Sequence, residues 1–376
     1  MDRTKARRRR VGFGVLLALA LGAFALGAAL GDEGAQGKAE SVAATLAVPQ
    51  LAGERVIAGV QGTGVPPRLR RAVRQGRIAG VVLFAASFPS REAGRRMVAR
   101  LQAIKRPRGL REPLLIMIDQ EGGLVKRVGG APTLSAREMG ERGPAVSRAQ
   151  GRRTAANLRQ LGVNVDLAPV LDVARPGGVI AATERGFGST AARVSATGLA
   201  FAAGLEAGGV AATAKHFPGF GAAAENTDFA VEEIALPKAR LRAVDEAPFA
   251  GFAAAGGGLV MLSTAIYPAL SDRPAAFSRA IATGELRGRV GFKGVSVTDA
   301  LGTVAVADFG GPAEAGLAAV RAGVDLLLFN DLGQAERGWR ALVAKLRARK
   351  LPRAEFEAAA QRVLDLRASL SEGAPR

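Results

Sequence analysis

The sequence predicts an α/β protein built on a (β/α)8 barrel of the TIM type, a single domain behind an N-terminal hydrophobic segment. Two observations carry this expectation: eight short apolar runs alternate with stretches of helical character across residues 56–329, and most of those runs are followed directly by a polar residue. The runs are Val56 to Val60, Gly80 to Phe84, Leu114 to Ile118, Val163 to Ala168, Val210 to Lys215, Leu259 to Leu262, Gly294 to Thr298 and Asp325 to Phe329. They are continuously apolar, as strands covered on both faces must be. Helical stretches lie between them at Pro67 to Arg77, Arg91 to Ile104, Arg148 to Leu161, Ala192 to Ala207 and Ala313 to Ala322. Such crossovers are what parallel strands require, and the regular alternation favours a closed barrel over a doubly wound open sheet.

Barrels of this kind place their chemistry on the loops that follow the carboxyl ends of the strands. The residues expected there are Asp119, Asp172, Lys215 with His216, Ser263, Asp299 and Asn330. Any one of them alone could be no more than a cap for the next helix.

At the N-terminus, Arg3, Lys5 and Arg7 to Arg10 precede an uncharged run from Val11 to Leu30, followed by the acidic segment Gly31 to Gly34. This pattern is an export signal that places the rest of the chain outside the cytoplasm. Two fates stay open: retention as a membrane anchor with its basic end in the cytoplasm, or cleavage near Ala23 to Ala29. The expected organisation is therefore a signal or anchor over residues 1–30, a linker over 31–49 and the barrel over 50–372.

The chain has 376 residues and no cysteine, which excludes disulfides, thiolate metal sites, a cysteine nucleophile and a lipidated cysteine. A formal charge of +19 invites a nucleic-acid reading. The basic residues are scattered, however, and one Trp and one Tyr leave little to stack on bases, so no specific nucleic-acid partner is expected. A generally basic surface would still draw weakly on anionic lipids or wall polymers. With a single histidine and no ligand spacing among the carboxylates, no metal site is expected, and the glycine-rich segment Gly59 to Gly64 lacks the lysine of a phosphate loop, so no cofactor is expected either.

Three segments carry the chemistry. Asp299 ends the run GVSVTD, where a buried strand delivers a carboxylate to the barrel mouth; a fixed carboxylate there can attack an anomeric carbon. His216 follows Lys215 at a strand end and precedes a loop containing Pro218, Gly219 and Gly221, a setting unlike that of a core histidine. In IDQEGGLVKR, Ile118 to Arg127, Asp119 ends a strand and Arg127 follows a glycine turn. Carboxylates and cations around one pocket are what sugar hydroxyls need as matched partners when water is excluded.

Several separated segments together resemble glycoside hydrolase family 3, in particular its single-domain bacterial β-N-acetylglucosaminidases, which trim cell-wall fragments. They are GVVLFAASFPS (from Gly80), IDQEGGLVKR, NVDLAPVLDV (from Asn164), ERGFGS (from Glu184), AKHFPGFG (from Ala214), VMLSTAIYPALSDRPAAFS (from Val260) and GFKGVSVTDALG (from Gly291), in the family's order. The resemblance implies a β-glycosidase acting on a carbohydrate, with Asp119, Arg127, Arg185, Lys215 and His216 binding the sugar. It also implies Asp299 as nucleophile, although Thr298 stands where the family has serine.

The departures are as specific. The family usually carries a second histidine in KHFPGHG and an Asp-Ser-His triplet further along the loop, whose Asp/His pair serves as acid/base. This chain has Phe220, and then Asn226, Thr227 and Asp228, in those places. Leu124 replaces a common arginine, and Ala300 replaces an acidic residue beside the nucleophile. Asp228 is the candidate replacement acid/base, with Glu225 a weaker one. Two functional readings follow: an exported retaining β-N-acetylhexosaminidase-type enzyme using a glycosyl-Asp299 intermediate, or a sugar-binding homologue impaired or inactive in catalysis for want of the usual dyad.

Overall fold

The structure, a computed structural model, describes residues 41–372. The expected signal or anchor over residues 1–30 lies outside the described residues, as does most of the expected linker. No helix among the described residues is long and apolar enough to cross a membrane.

Eight parallel strands form one sheet: β1 (Val56–Val60), β2 (Gly80–Leu83), β3 (Leu115–Ile118), β4 (Val165–Asp166), β5 (Ala211–Phe217), β6 (Leu259–Leu262), β7 (Val295–Thr298) and β8 (Leu327–Phe329). Each pairs with its sequence neighbours, and β1 also pairs with β8 in the register Val56 to Leu327. The ring closes between β7 and β8 through the bridge Val297 to Leu326 and the bonds from Thr298 N to Leu326 O, 3.0 Å, and from Leu326 N to Ser296 O, 2.9 Å. Closure leaves no sheet edge unpaired, which is why every residue of all eight strands can be buried.

All eight apolar runs contain strands: two match in both bounds, four lose one or two residues at an end, and two change more. The fourth contracts to Val165–Asp166, although bonds to β5 resume beyond it, from Thr213 N to Ala168 O at 2.8 Å and from Lys215 N to Pro169 O at 3.1 Å. The fifth lengthens to Phe217, so Lys215 and His216 lie within β5 instead of just after it. The alternation of side chains along each strand separates two cores. Leu115 and Met117, Val295 and Val297, and Leu326 and Leu328 point into the barrel, whereas Ile116, Ile118, Leu327 and Phe329 meet the surrounding helices.

The helices between strands form that outer ring. Pro144–Arg159 and Ala191–Ala207 approach most closely at Gly151 and Gly204. A Cβ at Gly151 would stand 2.2 Å from the Phe201 carbonyl oxygen, and one at Gly204 2.4 Å from that of Arg148, so neither position admits a side chain without parting the helices.

Residues 41–49, expected to belong to a linker, are instead part of the folded body. Val42–Thr45 and Val48–Gly53 are short helices; Ala43 is fully buried and its N–H reaches Gln361 Oε1 at 3.1 Å, while the Trp339 indole N–H donates to the Pro49 carbonyl at 2.8 Å. The small, polar composition hid this because Leu46 and Leu51 alone supply much of the apolar anchor.

The C-terminal helix, Arg353–Glu372, stops the amino-terminal end of the barrel. Val363 joins the interior core, with Leu366 and Leu370 packed against it. Two ion-pair groups fix the helix there: Arg362 donates to Asp325 Oδ1 at 2.7 Å, and the wholly buried Arg367 pairs with Glu54 and donates from Nε to the Pro113 carbonyl at 2.8 Å. Removing one member of a buried pair strands the other, so Arg367→Ala should lower unfolding free energy in urea by about 3–5 kcal/mol. Adding Glu54→Gln should cost less than it does alone, because the Arg367 charge it would strand is already gone and only the Arg106 pair at 2.8 Å remains to be lost. Additive losses would show that the two side chains do not act as a pair.

Candidate active site

The carboxyl ends of the strands open on a cavity of about 190 Å³. Its floor is the upper layer of the barrel core, including Val82, Leu167, Met261 and Leu328, and its walls carry Asp119, Arg127, Arg185, Lys215, His216, Asp228 and Asp299. The five expected sugar-binding residues, Asp299, Asp228 and Asn330 therefore border one cavity, whereas Asp172 and Ser263, also expected at the mouth, do not line it. Larger hollows, such as one of about 560 Å³ beside the C-terminal helix, lie among Arg55, Arg287 and Arg362 at the other end of the barrel, away from these groups.

Lys215 sits at the centre. Its ammonium is 2.8 Å from Asp119 Oδ1 and 2.7 Å from Glu121 Oε1. Asp119 also meets Arg127 at 3.3 Å, and Glu121 takes both prongs of the Arg185 guanidinium at 2.8 Å each. The result is an alternating chain of charge, Arg127, Asp119, Lys215, Glu121, Arg185, drawn from the loops after β3 and β4 and from β5. Burial alone would raise both carboxyls, but the facing cations outweigh it and hold Asp119 below, and Glu121 far below, the ordinary carboxylate range. Burial would likewise lower Lys215 and Arg185, and the two carboxylates raise them instead. Glu121 escaped the sequence reading; the signal available was a second carboxylate two residues beyond Asp119.

His216 is held by Asp172. One carboxylate oxygen takes the backbone N–H groups of His216 and Phe220 at 3.0 and 2.7 Å, and the other lies 2.7 Å from His216 Nδ1. A carboxylate only accepts, so Nδ1 carries the proton and Nε2 is the ring nitrogen left for the cavity. Phe220, which stands where the family has its second histidine, is buried and packs edge-on to the His216 ring at 5.5 Å. Arg185 is delivered by Glu184, whose φ of 57° is the left-handed conformation that few non-glycine residues adopt.

Asp299 follows β7 directly: its N–H donates to the Leu262 carbonyl at 3.0 Å, and its Oδ1 accepts the N–H of Ala300 at 2.7 Å. Asp228 lines the same cavity from the long loop after β5, with Asn226 Nδ2 donating to Oδ2 at 3.2 Å. Much of residue 228 is exposed, yet its carboxyl faces the cavity, where partial desolvation first and the Asp299 charge second raise it above the ordinary carboxylate range. That loop is joined to the β7 loop by Val304 N to Asp228 O, 3.4 Å, and Ala305 N to Thr227 O, 3.3 Å. Glu225 is exposed and does not border the cavity.

Asp166, at the end of β4, lies fully buried beside this cluster. Its Oδ1 accepts the Gln120 N–H at 3.0 Å, while Oδ2 has no partner. Burial, reinforced by the charges of Asp119 and Glu121, outweighs that bond and pushes the carboxyl up to about 8. The folded protein thus keeps a proton that the unfolded chain releases near pH 3.8, so this group's contribution to stability is present at low pH and is lost as pH rises from about 4 to 8. Asp166→Asn, which mimics the protonated form, should become progressively more stable relative to the parent over that interval. Urea midpoints of the two proteins measured from pH 5 to pH 8 check this, and curves that stay parallel contradict it.

Among the described residues, no group of His, Asp and Glu is arranged to hold a metal ion.

Comparison with known proteins agrees with this geometry. Residues 51–366 match the glycosyl hydrolase family 3 N-terminal domain. A protein of Arthroderma benhamiae named an uncharacterized secreted glycosyl hydrolase is 36% identical over 343 residues, which is 89% of this chain and 96% of that one. A β-hexosaminidase of Xanthomonas oryzae pv. oryzae is 35% identical over 282 residues, 73% of this chain and 82% of its own. Among solved structures, a family 3 β-N-acetylglucosaminidase from a Paenibacillus species superimposes with a TM-score of 0.83 at 31% identity, covering 88% of this chain; the chain spans 64% of that enzyme's length. The chain belongs to glycosyl hydrolase family 3 and is a β-N-acetylhexosaminidase-like hydrolase.

Proposed function

We propose that the protein is an exported retaining β-N-acetylhexosaminidase, acting on small β-linked amino sugars or wall fragments, with Asp299 as nucleophile and Asp228 as acid/base. The observation that carries this reading is that Asp299 and Asp228 line one small cavity, where partial desolvation and then the Asp299 charge raise the Asp228 carboxyl. The basic, apolar N-terminal segment supports export, as does likeness to a relative named as secreted. Asp119, Arg127, Arg185, Lys215 and His216 bind the sugar.

The chemistry follows from the positions. An Asp299 oxygen attacks the anomeric carbon as the bond to the leaving oxygen breaks, and the Asp228 proton passes to that oxygen. Water then gives a proton to Asp228 and its oxygen to the anomeric carbon, which releases Asp299. The ladder of charge around Lys215 is fully ionised throughout, so it orients hydroxyls without exchanging protons. Asp228 is suited to the acid role because its raised carboxyl keeps its proton to higher pH than an ordinary aspartate.

A second reading, a sugar-binding homologue without turnover, draws on one observation: Phe220 is turned into the core and, among the described residues, the Asp228 carboxyl has Asn226 as its only hydrogen-bond partner, so nothing reproduces the usual Asp/His pair. Hydrolysis of an activated aryl β-N-acetylglucosaminide separates the two. Asp299→Ala should lose on the order of 10³-fold or more in kcat, with the covalent glycosyl adduct absent by mass spectrometry. Asp228→Ala should lose about 10²- to 10⁴-fold on a disaccharide but far less on the activated phenol, which needs little protonation. The fall of parent activity as pH rises through the Asp228 pKa should also vanish in that variant. An unchanged disaccharide rate in Asp228→Ala would remove it from the mechanism, and sugar binding without turnover by the parent would favour the second reading.

A further inference from the structure

We infer that the rim of the cavity is an apolar aglycone subsite, so that the glycosides taken up carry a hydrophobic chain or ring as the leaving group; the inference rests on the glycosidase reading above. Among the described residues only five large apolar side chains are exposed: Val42, Leu124, Phe229, Val231 and Val304. Val42 lies in the first short helix, and the other four occupy the loops after β3, β5 and β7. Single exposed apolar residues are ordinary on a protein surface, but four of five gathered on the loops of one opening are not scattered.

Three of the four, Leu124, Phe229 and Val304, are tied to the cavity wall. Leu124, 76% exposed, immediately precedes the wall residue Val125, and Phe229, 77% exposed, immediately follows Asp228. The backbone N–H of Val304 meets the Asp228 carbonyl, so the Phe229 and Val304 loops are fixed to each other beside the acid/base candidate. Below this rim the cavity is charged, with Asp119, Lys215 and Arg185 suited to a sugar's hydroxyls. The barrel core closes the floor, so whatever is attached to the sugar must extend through the mouth and over the rim. Burying apolar surface on both partners there contributes up to about 0.8 kcal/mol per methylene, close to fourfold.

Alkyl β-N-acetylglucosaminides from methyl to octyl test this, because their leaving groups differ in apolar length and scarcely in proton affinity. At concentrations below octyl micelle formation, kcat/KM should rise by about tenfold or more along the series. In the Phe229→Ser, Val304→Ser double variant the octyl-to-methyl ratio should collapse toward one. The same ladder read as binding to Asp299→Asn by calorimetry should show the same preference. Hydrolysis with no dependence on chain length would overturn the inference and leave the glycosidase reading standing. Chain-length-dependent binding without hydrolysis by the parent would support the subsite and overturn the glycosidase reading, and neither binding nor hydrolysis of any member would overturn both.

Discussion

The buried ammonium of Lys215, held between Asp119 and Glu121, is the interaction on which the rest of the mouth depends. A charge removed from water is tolerable only when paired and hydrogen-bonded, and Lys215 meets that demand with two carboxylates, each held in turn by an arginine. Lys215 and those partners come from three separate parts of the chain, so satisfying one lysine fixes the relative positions of the β3 loop, the Glu184–Arg185 turn and β5. The barrel makes this possible. Closed parallel strands bring their carboxyl ends to a common opening, and residues a hundred positions apart become neighbours there.

The same packing divides four carboxyl groups among different states. Asp119 and Glu121 face cations and stay ionised, so they serve as fixed acceptors. Asp166 is buried beside them with one oxygen unpartnered, and the proton it keeps spares the cluster a third negative charge. Asp228 stands apart on a partly exposed loop, raised by modest desolvation and by Asp299. Environment, more than residue type, sorts acceptors from a group able to give and take a proton.

The barrel was legible in the sequence because strands buried on both faces must be apolar throughout, and eight such runs at regular spacing allow few other arrangements. Asp119, Lys215, His216 and Asp299 were legible for a related reason: a polar residue directly after a buried strand has only the barrel mouth to occupy. What escaped depends on tertiary partners. Glu121 lies in a glycine turn whose local pattern suits a solvated loop, and only the folded chain shows Arg185 and Lys215 converging on it. Residues 41–49 have the composition of a tether, yet the cleft between the C-terminal helix and the ring buries Ala43 and Leu46. The ten-residue π-helical segment Ala280–Arg289 likewise has no local signature that separates it from an ordinary helix.

The departures at positions 226 and 228 make physical sense as one coupled change. With a histidine at 228, an aspartate at 226 supports its proton. With an aspartate at 228, a second aspartate two residues earlier would place like charges about as close as Asn226 Nδ2 now lies to Asp228 Oδ2, 3.2 Å. The side chain of Asn226 instead accepts the Asp228 backbone N–H through its oxygen and donates to the Asp228 carboxylate through its nitrogen. That donation favours the ionised form and so opposes the net rise caused first by partial desolvation and then by the Asp299 charge, one neighbour favouring release of the proton and the surroundings its retention. In the proposed cycle the group must do both. Asp299 and Asp228 also ride on loops joined by two backbone hydrogen bonds, which tie the two carboxyl-bearing segments to each other at the barrel mouth.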